Sequence, residues 1–327
     1  MPSSSTHPPV EHYVTLFDNN FLLMGAGLHR SLMQHGGRFH LWILCMDEEV
    51  ERNLGRLALP HASLIPLREV EDERLLAVKP GRSRGEYCWT LTPFTAQFVF
   101  ERDPQVDRVT YLDADLYFFG SPRPFFAEFE AAGKHVLITE HAYDPRYDKS
   151  RRSGRFCVQF LTFRRTPEAG AVMRWWQERC LEWCYARVEG GKFGDQKYLD
   201  VWPELFGDAV HILRQTSRTL APWNVRYFER QGAGRIAPVF YHFHGLRLIA
   251  PGKLMLYSGY DVGQAARELY AAYGAGLQQV VDALGHLGIA VPHTPLRRDL
   301  VGRVLRWKRR AFGGEGYATM PRARGIA

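Results

Sequence analysis

Short apolar, β-prone runs recur along this chain with helical stretches between them, and little else restricts a fold so strongly. His12-Tyr-Val-Thr-Leu-Phe17 is apolar enough for a strand buried on both faces. A helix is predicted from about Phe21 to His35, closed by Gly36-Gly37. Phe39 to Met46 is the next strand, and Asp47-Glu-Glu opens a helix whose dipole favours acids at its start. Ser63–Leu67, Arg108–Leu112, His135–Thr139, Cys157–Phe163, Val210–Leu213 and Val239–Phe243 read as further strands. Pro93–Glu101 and Ala169–Tyr185 read as helices. This alternation predicts an α/β fold, a mostly parallel sheet flanked by helices. Its ligands should gather beyond the carboxyl ends of the strands. Residues 1–11 are expected to be a disordered tail. Beyond about Pro251 the chain is expected to turn helical, giving a helical extension over 256–327 with nothing catalytic in it.

Composition removes whole classes. With 46% hydrophobic and 24% charged residues the chain is globular, neither disordered nor fibrous. It has no uninterrupted apolar run of about 18 residues, and its start lacks the pattern of a secretory signal. Five cysteines give no disulfide framework, and a reduced, cytoplasmic protein is expected. The net charge is +7, and the segment Leu296–Arg310 alone carries +6. The body is therefore nearly neutral, and no nucleic-acid partner is expected. Within that segment Leu296, Leu300, Val304 and Trp307 share one helical face, with arginines around them. Residues 296–312 suit either an anionic membrane surface or a helix docked on the body with its basic face in water.

The strongest chemical signal is Arg108-Val-Thr-Tyr-Leu-Asp113-Ala-Asp115, a strand running into two carboxylates. In extended chain the two would point the same way, and unpaired they would repel. A divalent cation removes that conflict. The pair could instead cap the next segment, pair with arginines, or be a phosphatase nucleophile. A second motif, Val239-Phe-Tyr-His242-Phe-His244-Gly245-Leu-Arg247, adds two imidazoles at the end of a strand. Imidazole with carboxylates suits Mn2+ better than Ca2+, and Arg247 suits a phosphate.

These two motifs, in this order, resemble the metal site of GT-A-fold glycosyltransferases, in particular the retaining family 8 enzymes. Asp18-Asn19-Asn20-Phe21 looks like that family's nucleoside-holding Asp-Asp-Asn-Tyr. Phe193-Gly-Asp195-Gln196-Lys-Tyr-Leu199 looks like its Gly-Asp-Gln-Asp-x-Leu motif, and His242-Phe-His-Gly245 like the start of its His-x-x-Gly-x-x-Lys. The resemblance covers about residues 12–255. Glu86–Pro93, Glu182–Tyr185 and Ala221–Asn224 look like a bacterial branch of nucleotide-diphospho-sugar transferases. Two departures stand out. The family's Lys falls on Leu248, and its Phe-Asn-x-Gly strand reads Phe156-Cys157-Val158-Gln159.

The resemblance implies a glycosyltransferase using a nucleotide-diphosphate sugar, expected to be UDP-linked, with Mn2+ or Mg2+ and with retention. Asp113, Asp115 and His242, with His244 as the alternative, would hold the metal. Thr15, Asp18, Asn20, Arg84, Asp113 and Arg247 would bind the nucleotide, with Lys253 as a further cation. Gln196 would sit near the anomeric carbon, and Asp195 would hold hydroxyls. Gln159, Trp223 and Asn224 are candidates for the donor sugar or the acceptor. The acceptor would be a glycan, a lipid-linked sugar or a small molecule. The rivals are an inverting transferase with Asp195 or Asp144 as base, a silent sugar-nucleotide or glycan-binding protein, and a phosphatase.

Three other readings follow from the residues themselves. Asp195-Gln196 also fits a plain helix cap, and Asp18 and Asn20 fit an Asx-turn. Gly25-Ala-Gly27 lacks the third glycine of a dinucleotide fingerprint and reads better as close helix packing. Cys180 and Cys184, four apart with Trp175, Trp176 and Trp183 nearby, read as buried apolar side chains on one helix rather than as a zinc site. Trp89 reads as core.

Overall fold

The computed structural model describes residues 9–296 and 313–320. The tail 1–8 and most of the basic segment lie outside the described residues. Seven strands form the central sheet: β1 (Glu11–Phe17), β2 (Phe39–Cys45), β3 (Ala62–Pro66), β4 (Arg108–Leu112), β6 (Val136–Glu140), β7 (Phe156–Arg164) and β8 (Val210–Ile212). Their order is β3-β2-β1-β4-β7-β6-β8. Only β7 runs against its neighbours, so the sheet is mostly parallel, as expected. This is the helix-flanked, mostly parallel α/β sheet that the alternation of strands and helices predicts.

Both faces of the sheet are buried, which is why its strands read as continuous apolar runs. On β1, Tyr13 and Phe17 join one core while Val14 and Leu16 join the other. The first core is covered by α1 (Leu22–His35), α6 (Arg123–Ala132) and α11 (Ala265–His286). The second is covered chiefly by α4 (Arg84–Leu91), α5 (Thr95–Arg102) and α8 (Pro167–Glu182). The remaining helices are α2 (Glu48–Leu57), α3 (Glu73–Val78), α7 (Ser150–Ser153), α9 (Trp202–Leu205) and α10 (Val225–Gln231). Asp47 caps α2 with its carboxylate on Val50 N, as its place before Glu48-Glu49 suggests. In α1 the small residues serve packing: a Cβ on Gly25 would lie 2.3 Å from the Phe17 ring, and one on Gly27 2.9 Å from Leu277 of α11.

Two smaller sheets complete the fold. Directly after the Asp113-Ala-Asp115 turn, β5 (Leu116–Phe118) leaves the main sheet and pairs antiparallel with β10 (Phe240–His242), which in turn pairs with β9 (Thr219–Leu220). Strands β11 (Arg247–Ala250), β12 (Lys253–Ser258) and β13 (Glu315–Thr319) form the third sheet.

Several expectations need correction. The chain beyond Pro251 is not helical throughout, because β12 comes first and α11 only afterwards. Helix α8 ends at Glu182, with Trp183 extended, so Cys184 lies beyond the helix that carries Cys180. Both thiols are buried and free, as are Cys45 and Cys157. Glu11, assigned to the tail, is the first residue of β1. No helix among the described residues is long and apolar enough to cross a membrane.

Candidate active site

The central cleft opens where β4 ends and the chain crosses to the second sheet. Asp113 and Asp115 do not continue the strand. They flank a tight turn in which Leu116 N donates to Asp113 O at 3.1 Å, so the picture of two carboxylates on extended chain is corrected. The turn is pinned on both sides. Asp113 N donates to Gln159 O of β7 (3.1 Å), and Phe243 N donates to Asp115 O (2.9 Å). Pairing of His242 with Leu116 in the β10–β5 ladder then brings the imidazole to the carboxylates. Gly245, at φ +83°, turns the chain from β10 toward β11 and Arg247.

His242 Nε2 lies 3.0 Å from Asp115 Oδ1 and 3.8 Å from Asp113 Oδ2. Its Nδ1 is 2.8 Å from Gln159 Oε1, an acceptor, so Nδ1 carries a proton. Nε2 therefore reaches Asp115 directly at hydrogen-bond distance with Asp113 farther off, and a partner on the other ring nitrogen is the usual arrangement for a metal-ligating histidine. Asp115, His242 and His244 each offer a ligand atom within 4.8 Å of the others, and so do Asp113, Cys157 and His242. Each group has a donor set that fits a divalent ion, but among the described residues Asp113 and Asp115 share His242 without falling in one group together. The charges of the cluster act strongly on one another. Burial pushes Asp113 up to about 6, with the Asp115 charge adding to it. Burial also acts against the Asp115 carboxylate, but the charge and hydrogen bond of His242 win and hold it at about 2. His242 is driven well above the ordinary imidazole value by Asp115 despite its burial. The positive charge these shifts describe is that of His242 itself, held beside the two carboxylates.

The cleft has a volume of about 940 Å³, and it brings together Asp18, Asn20, Arg84, Asp113, Asp115, Asp195, Gln196, Trp223, His242, His244 and Arg247. At one end Asp18 accepts from Asn20 N (3.0 Å) and from Arg84 Nη1 (3.0 Å), so its Asx-turn and its place in the cleft coexist. Arg84 also lies 3.6 Å from Asp47, which ties it to this end. Arg247 sits 5.5 Å over the Phe21 ring and pairs with no carboxylate among the described residues. Asp195 precedes a 3-10 helix, Gln196–Val201, without capping it through its side chain. Its Oδ2 is buried and has no hydrogen-bond partner, and burial with the nearby Asp113 charge raises it to about 7. Gln196 Nε2 donates to Ser153 O at 2.8 Å.

Other candidates land elsewhere. Thr15 is fully buried in β1 and does not line the cleft. Gln159 is fully buried behind His242, so it serves the imidazole and not a sugar. The Asn224 side chain is used up by Ala221 N, His141 O and Thr219 O, which makes it a brace for its own loop. Lys253 is exposed on β12, away from the cleft. Asp144 lies outside the cleft, bound by Arg146 and Arg230. Burial opposes its charge, yet those bonds keep its pKa low. Trp223 donates to His141 O and meets His242 and His244 edge-on, which orients both rings. Trp89 packs against the second core, as expected, and also lines the cleft.

Four lining residues carry no motif that would mark them: Lys149, Arg152, Tyr143 and Tyr260. All four line the cleft, and Lys149 Nζ donates to Tyr260 OH at 3.0 Å. Lys149 and Arg152 come from a polar run that looks like any solvated loop. Thr294 also lines the cleft, and Gly313 packs on the Tyr260 backbone so closely that a Cβ would lie 2.6 Å away.

No family model matches the chain. Among curated proteins, the uncharacterised YfnF of Bacillus subtilis (strain 168) is 34% identical over 251 residues, which is 73% of this chain and 82% of YfnF. YfnD of the same organism, likewise uncharacterised, is 30% identical over 284 residues, 84% of this chain and 90% of YfnD. The chain belongs to the YfnD–YfnF family. Both relatives share most of their length with it. Similar solved structures include mouse xyloside xylosyltransferase 1 (15% identity, 72% of this chain, 98% of that one, TM-score 0.48). The galactosyltransferase LgtC, solved with donor and acceptor sugar analogues, is 15% identical over 74% of this chain and 89% of its own, with a TM-score of 0.49. The glycosyltransferase GlyE of Streptococcus pneumoniae TIGR4 is 16% identical over 88% and 66%, with a TM-score of 0.48. Overlaps of that size leave the chemistry of this YfnD–YfnF family member to be read from its own side chains.

Proposed function

We propose that the protein is a metal-dependent glycosyltransferase that moves a sugar from a nucleotide-diphosphate donor, UDP-linked in the first instance, to a glycan, lipid-linked or small-molecule acceptor. One observation carries this reading. An imidazole from β10 lies 3.0 Å from one and 3.8 Å from the other of two carboxylates on the turn after β4, far away in the chain, in a cleft that also holds Asp18 and Asp195.

Asp113, Asp115 and His242 would hold Mn2+ or Mg2+, with His244 beside them. Once bound, such an ion neutralises the charge that develops on the leaving diphosphate. The chain supplies the rest. Asp18, Asn20 and Arg84 form a polar end of the cleft suited to the nucleoside. Arg247, unpaired and next to Phe21, meets the diphosphate between that end and the cluster. Gln196, its amide fixed by Ser153 O, offers a polar and weakly nucleophilic surface to the oxocarbenium-like sugar. In the retaining mode the acceptor attacks from the face that the diphosphate leaves. An inverting mode draws support from Asp195, whose buried and unpartnered Oδ2 can accept the acceptor's proton. The anomeric configuration of the product, read by NMR, separates the two.

The decisive experiment screens nucleotide sugars for Mn2+-dependent hydrolysis or transfer. Asp113→Ala and Asp115→Ala should each lower the rate by about a thousandfold or more, equal to ~4 kcal/mol of barrier, with circular dichroism unchanged. A wild type inert with every donor would sink the enzyme reading in favour of a binding protein. The basic segment 296–312 is proposed to meet an anionic membrane surface.

A further inference from the structure

Two side chains of β7 take no part in the transfer outlined above. Cys157 and Gln159 stand where the resembling family has Asn and Gly, and both turn toward His242. Gln159 Oε1 accepts from its Nδ1. Cys157 is a buried, free thiol whose sulfur lies within 4.8 Å of ligand atoms on both Asp113 and His242. A strand position that would otherwise offer an amide to a sugar here offers sulfur to the cluster.

We propose that Asp113, Cys157 and His242 form a binding site for a thiophilic divalent ion of the zinc or cadmium class, overlapping the site for a hard ion at Asp113, Asp115 and His242. The proposal rests on the metal-centre reading, since two ligands are shared. Its chemistry follows from the donor types. Oxygen, nitrogen and sulfur together form a three-ligand set typical of zinc, with a fourth position open to the cleft. Sulfur discriminates among ions, because thiolate favours Zn2+ and Cd2+ while carboxylates suit Mn2+ and Mg2+. As the sulfur–metal bond forms, the thiol proton leaves to solvent, and no oxidant or reductant is needed. The shared Asp113 and His242 make the two kinds of ion competitors.

The full chain is titrated with Co2+ as a spectroscopic probe, and Mn2+ binding is followed separately by electron paramagnetic resonance. The wild type should show a sulfur-to-cobalt charge-transfer band in the near ultraviolet, which Zn2+ abolishes by displacement. The band should disappear in Cys157→Ser and in Cys157→Ala, the second variant guarding against a folding defect in the first. It should persist in Cys88→Ser, since Cys88 lines the same cleft but lies outside both ligand groups. The preference for Zn2+ over Mn2+ should fall by about tenfold or more on loss of Cys157. Mn2+ binding without any sulfur band, or a band that survives in both Cys157 variants, would overturn this inference and leave the hard-ion site standing. Failure to bind either Mn2+ or Co2+ would overturn both.

Discussion

At the residue scale, His242 depends on a side chain that never reaches the cleft. Gln159 fixes the ring so that Nε2 faces Asp113 and Asp115. Gln159→Leu removes the acceptor and should weaken Mn2+ binding by about 10–100-fold. Gln159→Glu keeps an acceptor and should restore most of that loss. Mn2+ affinity measured beside the melting temperature distinguishes a positioning residue from a merely structural one. The sequence could not assign this role. Position 159 invited comparison with a sugar-binding strand, but the geometry that decides its partner comes from the turn at Asp113, whose N–H binds the Gln159 carbonyl. Thr15 and Asn224 were misplaced for a related reason. Both lie next to residues that do line the cleft, and a motif conveys neighbourhood without conveying direction. The acidic and histidine residues were legible because few arrangements leave a strand ending in two carboxylates.

At the scale of elements, the strands buried on both faces were the easiest to read, since their apolar runs need no distant partner to be recognised. Strands β5, β9 and β13, which exist through pairing with segments far away in the chain, are absent from the sequence reading, and so is the hairpin of β11 and β12, which stands where a helical extension is expected to begin. The tight spacing in α1 was legible from its glycines, and it carries a prediction. A Cβ on Gly25 would sit 2.3 Å from the ring of Phe17, which is itself 2% exposed and cannot move aside. Gly25→Ala should therefore cost about 1–3 kcal/mol. Gly27→Ala meets only a methyl of Leu277 at 2.9 Å and should cost less. Urea unfolding of the two variants, compared at equal slope, checks the order. The reverse order would mean that α1 slides on the sheet more readily than it slides on α11.

At the scale of the whole molecule, charge is segregated: a nearly neutral body carries one strongly basic stretch. Neutralising Arg303, Arg306, Arg309 and Arg310 to Gln should weaken binding to liposomes rich in anionic lipid by about 1 kcal/mol per charge, while hydrolysis of a soluble donor is retained. Liposome binding that is unchanged, or insensitive to salt, would remove the membrane proposal. Substitution is the right tool here, because truncation after Thr294 would also delete β13 and strip β12 of a neighbour. The sheet thus fixes the chain on the far side of the basic stretch. Thr294 borders the opening before that stretch, and Gly313 is wedged against Tyr260 after it. One anchor lines the opening and the other packs on a residue that does, so on the membrane proposal both ends of the basic stretch are tied close to that opening. Encounter between such a transferase and a lipid-borne acceptor would then become a search across a plane instead of through a volume.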